Sequence, residues 1–347
     1  MPNLGGGGGE RIISILLNNV DRTLFKPNLI IIKNNGSNEF IKNLKEDVGV
    51  YYLKVNGRIR VSFPYVVYKL IKFCKKHNPD VLFFGSGQIN VILSPFLFLF
   101  PKKIKLIARE SNIPSKFEKY FFAKWLYKNT YKNYTKIIVQ SDDMYNDLNL
   151  NFKLPNSKLI KINNPVDFNY ISSKNEEKIE NNVLDKSIIL LAAGRLTYQK
   201  GYDLLIQELS KIQDIRFCLY ILGDGEEKKN LLDLIKSLKL EKKVVFLGNV
   251  ENPYKYMAKA DIFVLSSRFE GFPNVVLESL SCGTPVIANN CLGGINEIIK
   301  EGFNGVVFDY KKGDFSPRLK EIINSDFSKQ DIIDDTKNRF SVENKIL

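Results

Sequence analysis

Histidine occurs once, at His77, and no Asp-x-Asp triplet occurs anywhere in the 347 residues. Catalysis through a divalent metal therefore has no evident ligand set, and metal independence is expected. The four cysteines, Cys74, Cys218, Cys282 and Cys291, show no C-x-x-C spacing, which argues against structural zinc and fits buried thiols of a reducing compartment. With no secretory signal either, a cytoplasmic location is expected. Long apolar runs are also missing. The longest, Val91 to Phe100, is broken by Ser94 and Pro95 and falls short of the roughly 20 residues that span a bilayer. It reads as a core helix with a tight start, or else as an apolar edge resting on a membrane. No short-period repeat is visible, which excludes a solenoid.

Acidic residues are scarce in one half only. Residues 1–170 carry 26 Lys+Arg against 12 Asp+Glu and residues 171–347 carry 25 against 26, so the halves contribute +14 and −1. One-sided charge of this kind favours an anionic partner for the first half, either nucleic acid or a phosphate-bearing lipid surface. No zinc finger, helix-turn-helix or aromatic-basic motif accompanies it, so nucleic acid is not expected.

What is present suits two globular α/β domains of roughly 150 residues each. Apolar runs bounded by turns recur at the spacing of alternating strands and helices. In the first half they are Leu29–Ile32, Val81–Phe84, Lys105–Ala108 and Lys136–Gln140; in the second, Ser187–Ala193, Arg216–Leu222, Val244–Leu247, Ile262–Ser266, Pro285–Ala288 and Gly305–Phe308. The polar stretch Asp167 to Asp185 separates them, which sets expected domains of residues 1–167 and 168–347. Five glycines, Gly5 to Gly9, precede a helical pattern from Glu10 to about Val20, yet only Met1–Leu4 precede the glycines. The first core strand of the first domain thus reads as missing or severely shortened. The residues from Arg339 on read as the start of a final helix.

Two loops carry the chemistry. Gly194-Arg195-Leu196-Thr197-Tyr198-Gln199-Lys200-Gly201 follows an apolar strand and puts two cations where ligands of open α/β sheets bind, with Arg and Lys suited to neutralising a diphosphate. Glu270-Gly271-Phe272-Pro273-Asn274-Val275-Val276-Leu277-Glu278 also follows a strand. Pro273 suits the first turn of a helix whose N-terminus would face a phosphate, and the apolar company of Glu278 predicts its partial burial.

Together these residues resemble the donor site of retaining GT-B glycosyltransferases of the family-four type. Gly223-Asp224-Gly225, Val245-Phe246-Leu247-Gly248-Asn249-Val250, Ala260-Asp261-Ile262-Phe263-Val264-Leu265-Ser266-Ser267-Arg268 and Gly293-Gly294-Ile295-Asn296-Glu297-Ile298-Ile299 follow in the family's order. The resemblance implies two Rossmann-like parallel-sheet domains facing across a cleft. It implies a nucleotide diphosphate-sugar co-substrate, UDP by family default, and transfer of a hexose or N-acetylhexosamine to a lipid-linked glycan of bacterial surface polysaccharide. Arg195 and Lys200 would bind the diphosphate and stabilise its developing charge. Glu270 would orient the sugar and Glu278 the ribose, while Gly248, Asn249 and Val250 line the base and Gly271, Phe272 and Asn274 complete the donor site.

In the first domain the resemblance places Gly8 near the donor phosphates, and Arg109 and Glu110 on the acceptor side. Many relatives carry a histidine at that last loop, and this chain has none there. The basic first domain and the Phe/Leu edge suggest peripheral association with the inner face of an anionic cytoplasmic membrane. The alternative is a non-catalytic sugar-nucleotide-binding or partner subunit.

Overall fold

The computed structural model describes residues 1–5, 7–33, 39–55, 62–179 and 187–346. The chain divides into two compact units, Met1–Pro165 together with the residues from Val342 on, and Val166–Ser341. The last residues, expected in the second domain, thus belong to the first unit, where Lys345 Nζ lies 3.5 Å from Asn163 Oδ1. The second part of the polar boundary segment, residues 180–186, lies outside the described residues.

In the first unit β1 (Asn28–Lys33) and β2 (Gly49–Val55) pair in parallel. A separate parallel sheet runs in the order β3 (Val81–Phe84), β4 (Lys105–Arg109), β5 (Lys136–Val139), β6 (Leu159–Lys161). Sequence periodicity missed β2 and β6. Tyr51 and Tyr52 of β2 are both exposed, and β6 is three residues long with only Leu159 buried, so neither presents a run of core positions.

The helix after the glycines spans Gly8–Asn19, with Ile12, Ile13 and Ser14 buried; Gly6 lies outside the described residues. No strand precedes that helix among the described residues. Met1 and Pro2 instead lie alongside β1 with hydrogen bonds of the parallel type, since the Met1 amino group donates to Ile30 O (2.9 Å), Ile32 N donates to Met1 O (3.0 Å) and Lys33 N to Pro2 O (3.0 Å). The short segment before the glycines therefore does pair with the sheet. The run Val91–Phe100 is neither one helix nor wholly core. A helix, Gly87–Leu93, gives way at Ser94-Pro95 to a 3₁₀ segment, Ser94–Leu99, which buries Leu97 while Phe98 and Leu99 are exposed.

The second unit holds one six-stranded parallel sheet. Its strands are β7 (Ile188–Ala193), β8 (Phe217–Leu222), β9 (Val244–Gly248), β10 (Ile262–Leu265), β11 (Val286–Asn289) and β12 (Gly305–Phe308). Their order is β12-β11-β10-β7-β8-β9, so the chain winds outward from β7 in one direction, returns, and winds outward from β10 in the other. Helices cover both faces, which is why β10 and β11 are buried at every position and read as continuous apolar runs. The separate cores on the two sides of the sheet, around Leu190, Leu205 and Phe308 and around Phe263, Leu277 and Ile295, are built from alternate strand residues. The winding reverses between β7 and β10. Outside the carboxyl ends of these strands, open α/β sheets bind their ligands.

Candidate functional site

Four loops of the second unit emerge at the carboxyl ends of β7, β8, β9 and β10, and backbone contacts lock them together. Gly194 N donates to Leu222 O (2.9 Å), Gly223 N to Gly248 O (2.7 Å) and Leu196 N to Asp224 O (3.0 Å). Gly223, at φ +131°, lies so close to Gly194 O that a Cβ there would overlap it. The loop after β7 is in turn tied to the loop after β10. Arg268 N donates to Gln199 O (2.8 Å), Gln199 Nε2 to Phe269 O (3.0 Å) and Ser266 Oγ to Lys200 O (2.7 Å).

Lys200 and Glu270 meet across this switch point. Lys200 Nζ lies 2.7 Å from Glu270 Oε1, and the same carboxylate oxygen accepts from Ser267 Oγ at 2.6 Å. Both side chains are mostly covered, at 18% and 9% exposed, so the pair is sheltered without being sealed. Glu270 is fixed from behind as well. Its backbone N donates to Leu292 O (2.8 Å), and Gly293, at φ +127°, packs against the Glu270 carbonyl where any side chain would collide. Arg195, five residues before Lys200 in the β7 loop, is exposed and makes no ion pair among the described residues, which leaves a guanidinium free for an anion.

After Glu270 the chain turns into the helix Asn274–Ser281. Pro273 is extended and occupies the cap position (φ −76°, ψ 92°) rather than the first turn, so the expected placement is corrected by one residue. Gly271 and Phe272 are buried and Asn274 is half-buried. Glu278, the fifth helical residue, is 7% exposed, in line with its apolar neighbours Val276, Leu277 and Leu280. Gly248, in the left-handed region at φ +70°, ends β9; Asn249 is exposed and Val250 half-buried just beyond it.

Sequence reasoning did not single out the brace beside this site. Arg268 forms a two-pronged ion pair with Asp203 (2.8 and 2.6 Å), donates to Tyr198 O (2.8 Å) and lies 4.1 Å above the Tyr198 ring. That brace clamps the segment carrying Lys200 to the segment carrying Glu270. Asn289 Nδ2 adds a bond to Ser267 O at 2.9 Å. A cation and an acid 65 positions apart give no periodic signal.

The first unit holds the other expected residues. Gly8 begins the helix Gly8–Asn19. Arg109 and Glu110, at the end of β4, are turned into the core of the unit, at 4% and 2% exposed. Arg109 donates to Asn164 Oδ1 (2.6 Å), while its other terminal nitrogen has no partner among the described residues. Glu110 accepts from Tyr127 Oη (3.2 Å) and from Tyr131 Oη. Burial pushes its carboxyl up to about 8, and the Arg109 guanidinium is held down to about 10 for the same reason. Asn90, buried in the same unit, donates from Nδ2 to Arg109 O (2.9 Å), while its Oδ1 has no partner among the described residues. His77, at the end of the helix Phe63–His77, stacks on Phe73 (4.3 Å) and contacts Tyr51, as a surface packing residue does.

Comparison with known proteins agrees with this architecture. Residues 173–339 match the family described as Glycosyl transferases group 1. Among solved structures, HepE of Anabaena in complex with UDP superposes with a TM-score of 0.78, covering 98% of this chain and 94% of that one at 19% identity. The fold is thus GT-B. AmsD of Erwinia amylovora, an amylovoran biosynthesis glycosyltransferase, is 28% identical over 82% of this chain and 84% of its own. The N-acetylgalactosamine-N,N'-diacetylbacillosaminyl-diphospho-undecaprenol 4-alpha-N-acetylgalactosaminyltransferase of Campylobacter jejuni is 31% identical over 88% of this chain and 84% of its own. With that identity over nearly its whole length, the chain belongs to the group 1 glycosyl transferases of the family-four, GT-B type and is a glycosyltransferase.

Proposed function

We propose that this glycosyltransferase moves a hexose or N-acetylhexosamine from a UDP-sugar to a glycan carried on a polyprenyl diphosphate, with retention at the anomeric carbon and without a metal. The observation that carries the reading is the Lys200–Glu270 pair at the β7/β10 switch point, with the unpaired Arg195 in the same β7 loop. In this reading Arg195 and Lys200 face the diphosphate. As the bond between the anomeric carbon and the diphosphate oxygen breaks, negative charge builds on the leaving group, and the two cations of the β7 loop, whose backbone the loop bonds hold, stabilise it.

Glu270, held by Ser267 and Gly293, orients the sugar by accepting from its hydroxyls, and Glu278 accepts from the ribose. Gly248, Asn249 and Val250 flank the base, while Gly271, Phe272 and Asn274 form the turn around the phosphates. The UDP in the HepE complex and the undecaprenyl diphosphate-linked acceptor in the name of the Campylobacter relative support the two substrate classes. An α-glycoside made from an α-configured donor keeps its configuration, so the α-linkage in that relative's name supports retention.

Glu110 enters the proposal in a different role from the one its position after β4 suggests. Enclosed by Tyr127 and Tyr131, it positions the end of β4 rather than touching the acceptor. The setting proposed is the inner face of the cytoplasmic membrane; among the described residues no helix is long and apolar enough to cross a membrane. The test is nucleotide release from a panel of UDP- and GDP-sugars, with and without polyprenyl diphosphate-linked glycans, and with a chelator in a parallel arm. Release that requires one UDP-sugar and the lipid-linked acceptor, undiminished by the chelator, is expected. A folded protein that binds nucleotide and never releases product overturns the proposal in favour of a binding subunit.

A further inference from the structure

One face of the first unit exposes more aromatic surface than its fold requires. The helix Phe121–Asn129 buries only Leu126 and Tyr127, and its outer side shows Phe121 (83% exposed), Phe122 (68%) and Trp125, with Tyr120 directly before it. Positions 121, 122 and 125 share one side of a helix, and the Phe122 and Trp125 rings stack at 6.1 Å with an interplanar angle of 8°. Side-chain contacts join this helix to two further exposed apolar elements. Ser94 Oγ lies 2.5 Å from Thr130 Oγ1, which ties the 3₁₀ segment Ser94–Leu99, with Phe98 79% exposed, to the helix's C-terminal end. Phe96 of that segment packs on Phe63 at 5.7 Å, and the helix begun by Phe63 exposes Tyr65 and Tyr68.

The charge around these rings is of one sign. Lys102, Lys103, Lys116, Lys119, Lys124 and Lys128 are exposed, whereas the acids between residues 94 and 132 are Glu110, which is buried, and Glu118, which is half-buried. The helix Phe63–His77 carries no acid at all. Protein interfaces enrich arginine and deplete lysine, and here the exposed cations are lysines while the one arginine in the stretch, Arg109, is buried. Aromatic rings flanked by lysines, whose stems lie along apolar surface while their ammonium groups reach outward, match the boundary between phospholipid headgroups and acyl chains.

We propose that this face, centred on Phe98, Phe121, Phe122 and Trp125, is a docking surface for an anionic phospholipid bilayer. The rings enter the headgroup–acyl boundary and the lysines meet the lipid phosphates. The surface rests on the proposed lipid-linked acceptor for its purpose, since that substrate resides in the same bilayer, but its binding is measurable without any sugar.

Trp125 is the only tryptophan in the chain and so reports on the surface directly. The full chain is mixed with vesicles of phosphatidylcholine alone or with added phosphatidylglycerol, and tryptophan emission is read with and without bromine-labelled acyl chains. A blue shift and bromine quenching that require phosphatidylglycerol are expected. The double variant Phe121→Ser with Phe122→Ser, whose rings are exposed and whose thermal unfolding should match the parent, is expected to bind at least about tenfold more weakly.

No binding to anionic vesicles overturns the proposal. So does binding that leaves Trp125 emission unshifted and unquenched, or an undiminished double variant, because the contact then lies elsewhere. A blue shift that grows with protein concentration in the absence of vesicles identifies a second copy as the occupant and likewise overturns it. The nucleotide-release assay fails independently: a protein that docks and never transfers keeps the surface, and one that transfers without docking loses only the surface.

Discussion

At the end of β4 the chain places Arg109 beside Glu110, and at the ends of β7 and β10 it places Lys200 against Glu270. Both are a cation and a carboxylate at the carboxyl end of parallel strands, yet their surroundings differ. Glu270 stays at the rim, where a lysine neutralises it and one hydroxyl holds it, and the loop that carries this lysine also carries the exposed Arg195. Glu110 is covered by Tyr127 and Tyr131, so burial, rather than an ion pair, decides its protonation. The chemistry available at a strand end is therefore set less by the residues on that strand than by whether a later helix closes over them.

If that contrast is sound, removing a cation at the second strand end should act on transfer. Arg195→Ala or Lys200→Ala is expected to lower kcat/KM by at least about tenfold, about 1.4 kcal/mol of transition-state stabilisation, with thermal unfolding little changed. Steady-state nucleotide release measures it, and full activity in either variant removes that residue from the site. A smaller effect sharpens the division within the second unit. Glu278→Ala, five residues beyond the cap of the helix Asn274–Ser281, should weaken UDP binding several-fold by calorimetry while slowing bound donor less. The reverse pattern contradicts its ribose role.

The second unit was largely legible in the sequence because its strands are buried on both faces and read as uninterrupted apolar runs, each followed by a glycine-rich or charged loop. The expected runs at Val81–Phe84 and Gly305–Phe308 coincide with β3 and β12, and the others agree to within about two residues at each end. The first unit was less so. The strand Gly49–Val55 was lost because Tyr51 and Tyr52 face outward. Enclosure of Glu110 could not be read because the covering hydroxyls come from 17 and 21 residues further along, in a segment whose outward aromatics make it look like core. The Arg268–Asp203 brace had to wait for the fold for the same reason: long-range polar contacts leave no local pattern.

The smallest expected effect isolates the enclosed strand end. The Glu110 carboxyl is pushed from its ordinary 4.5 up to about 8, so in the folded state it keeps a proton that the unfolded chain releases. Protons bound on folding make stability fall with rising pH; this loss begins above about 4.5 and is complete beyond about 8. Glu110→Gln replaces the carboxyl with a neutral group of the same shape that still accepts a tyrosine hydroxyl, and it removes the titration. The variant should therefore match the parent near the acid end of this window and become progressively more stable than it toward the alkaline end, read as the difference in thermal midpoint across pH. Donor binding by the second unit should not follow that difference. A constant offset at every pH would mean that Glu110 is ionised throughout, and the contrast between the two strand ends would then rest on geometry alone.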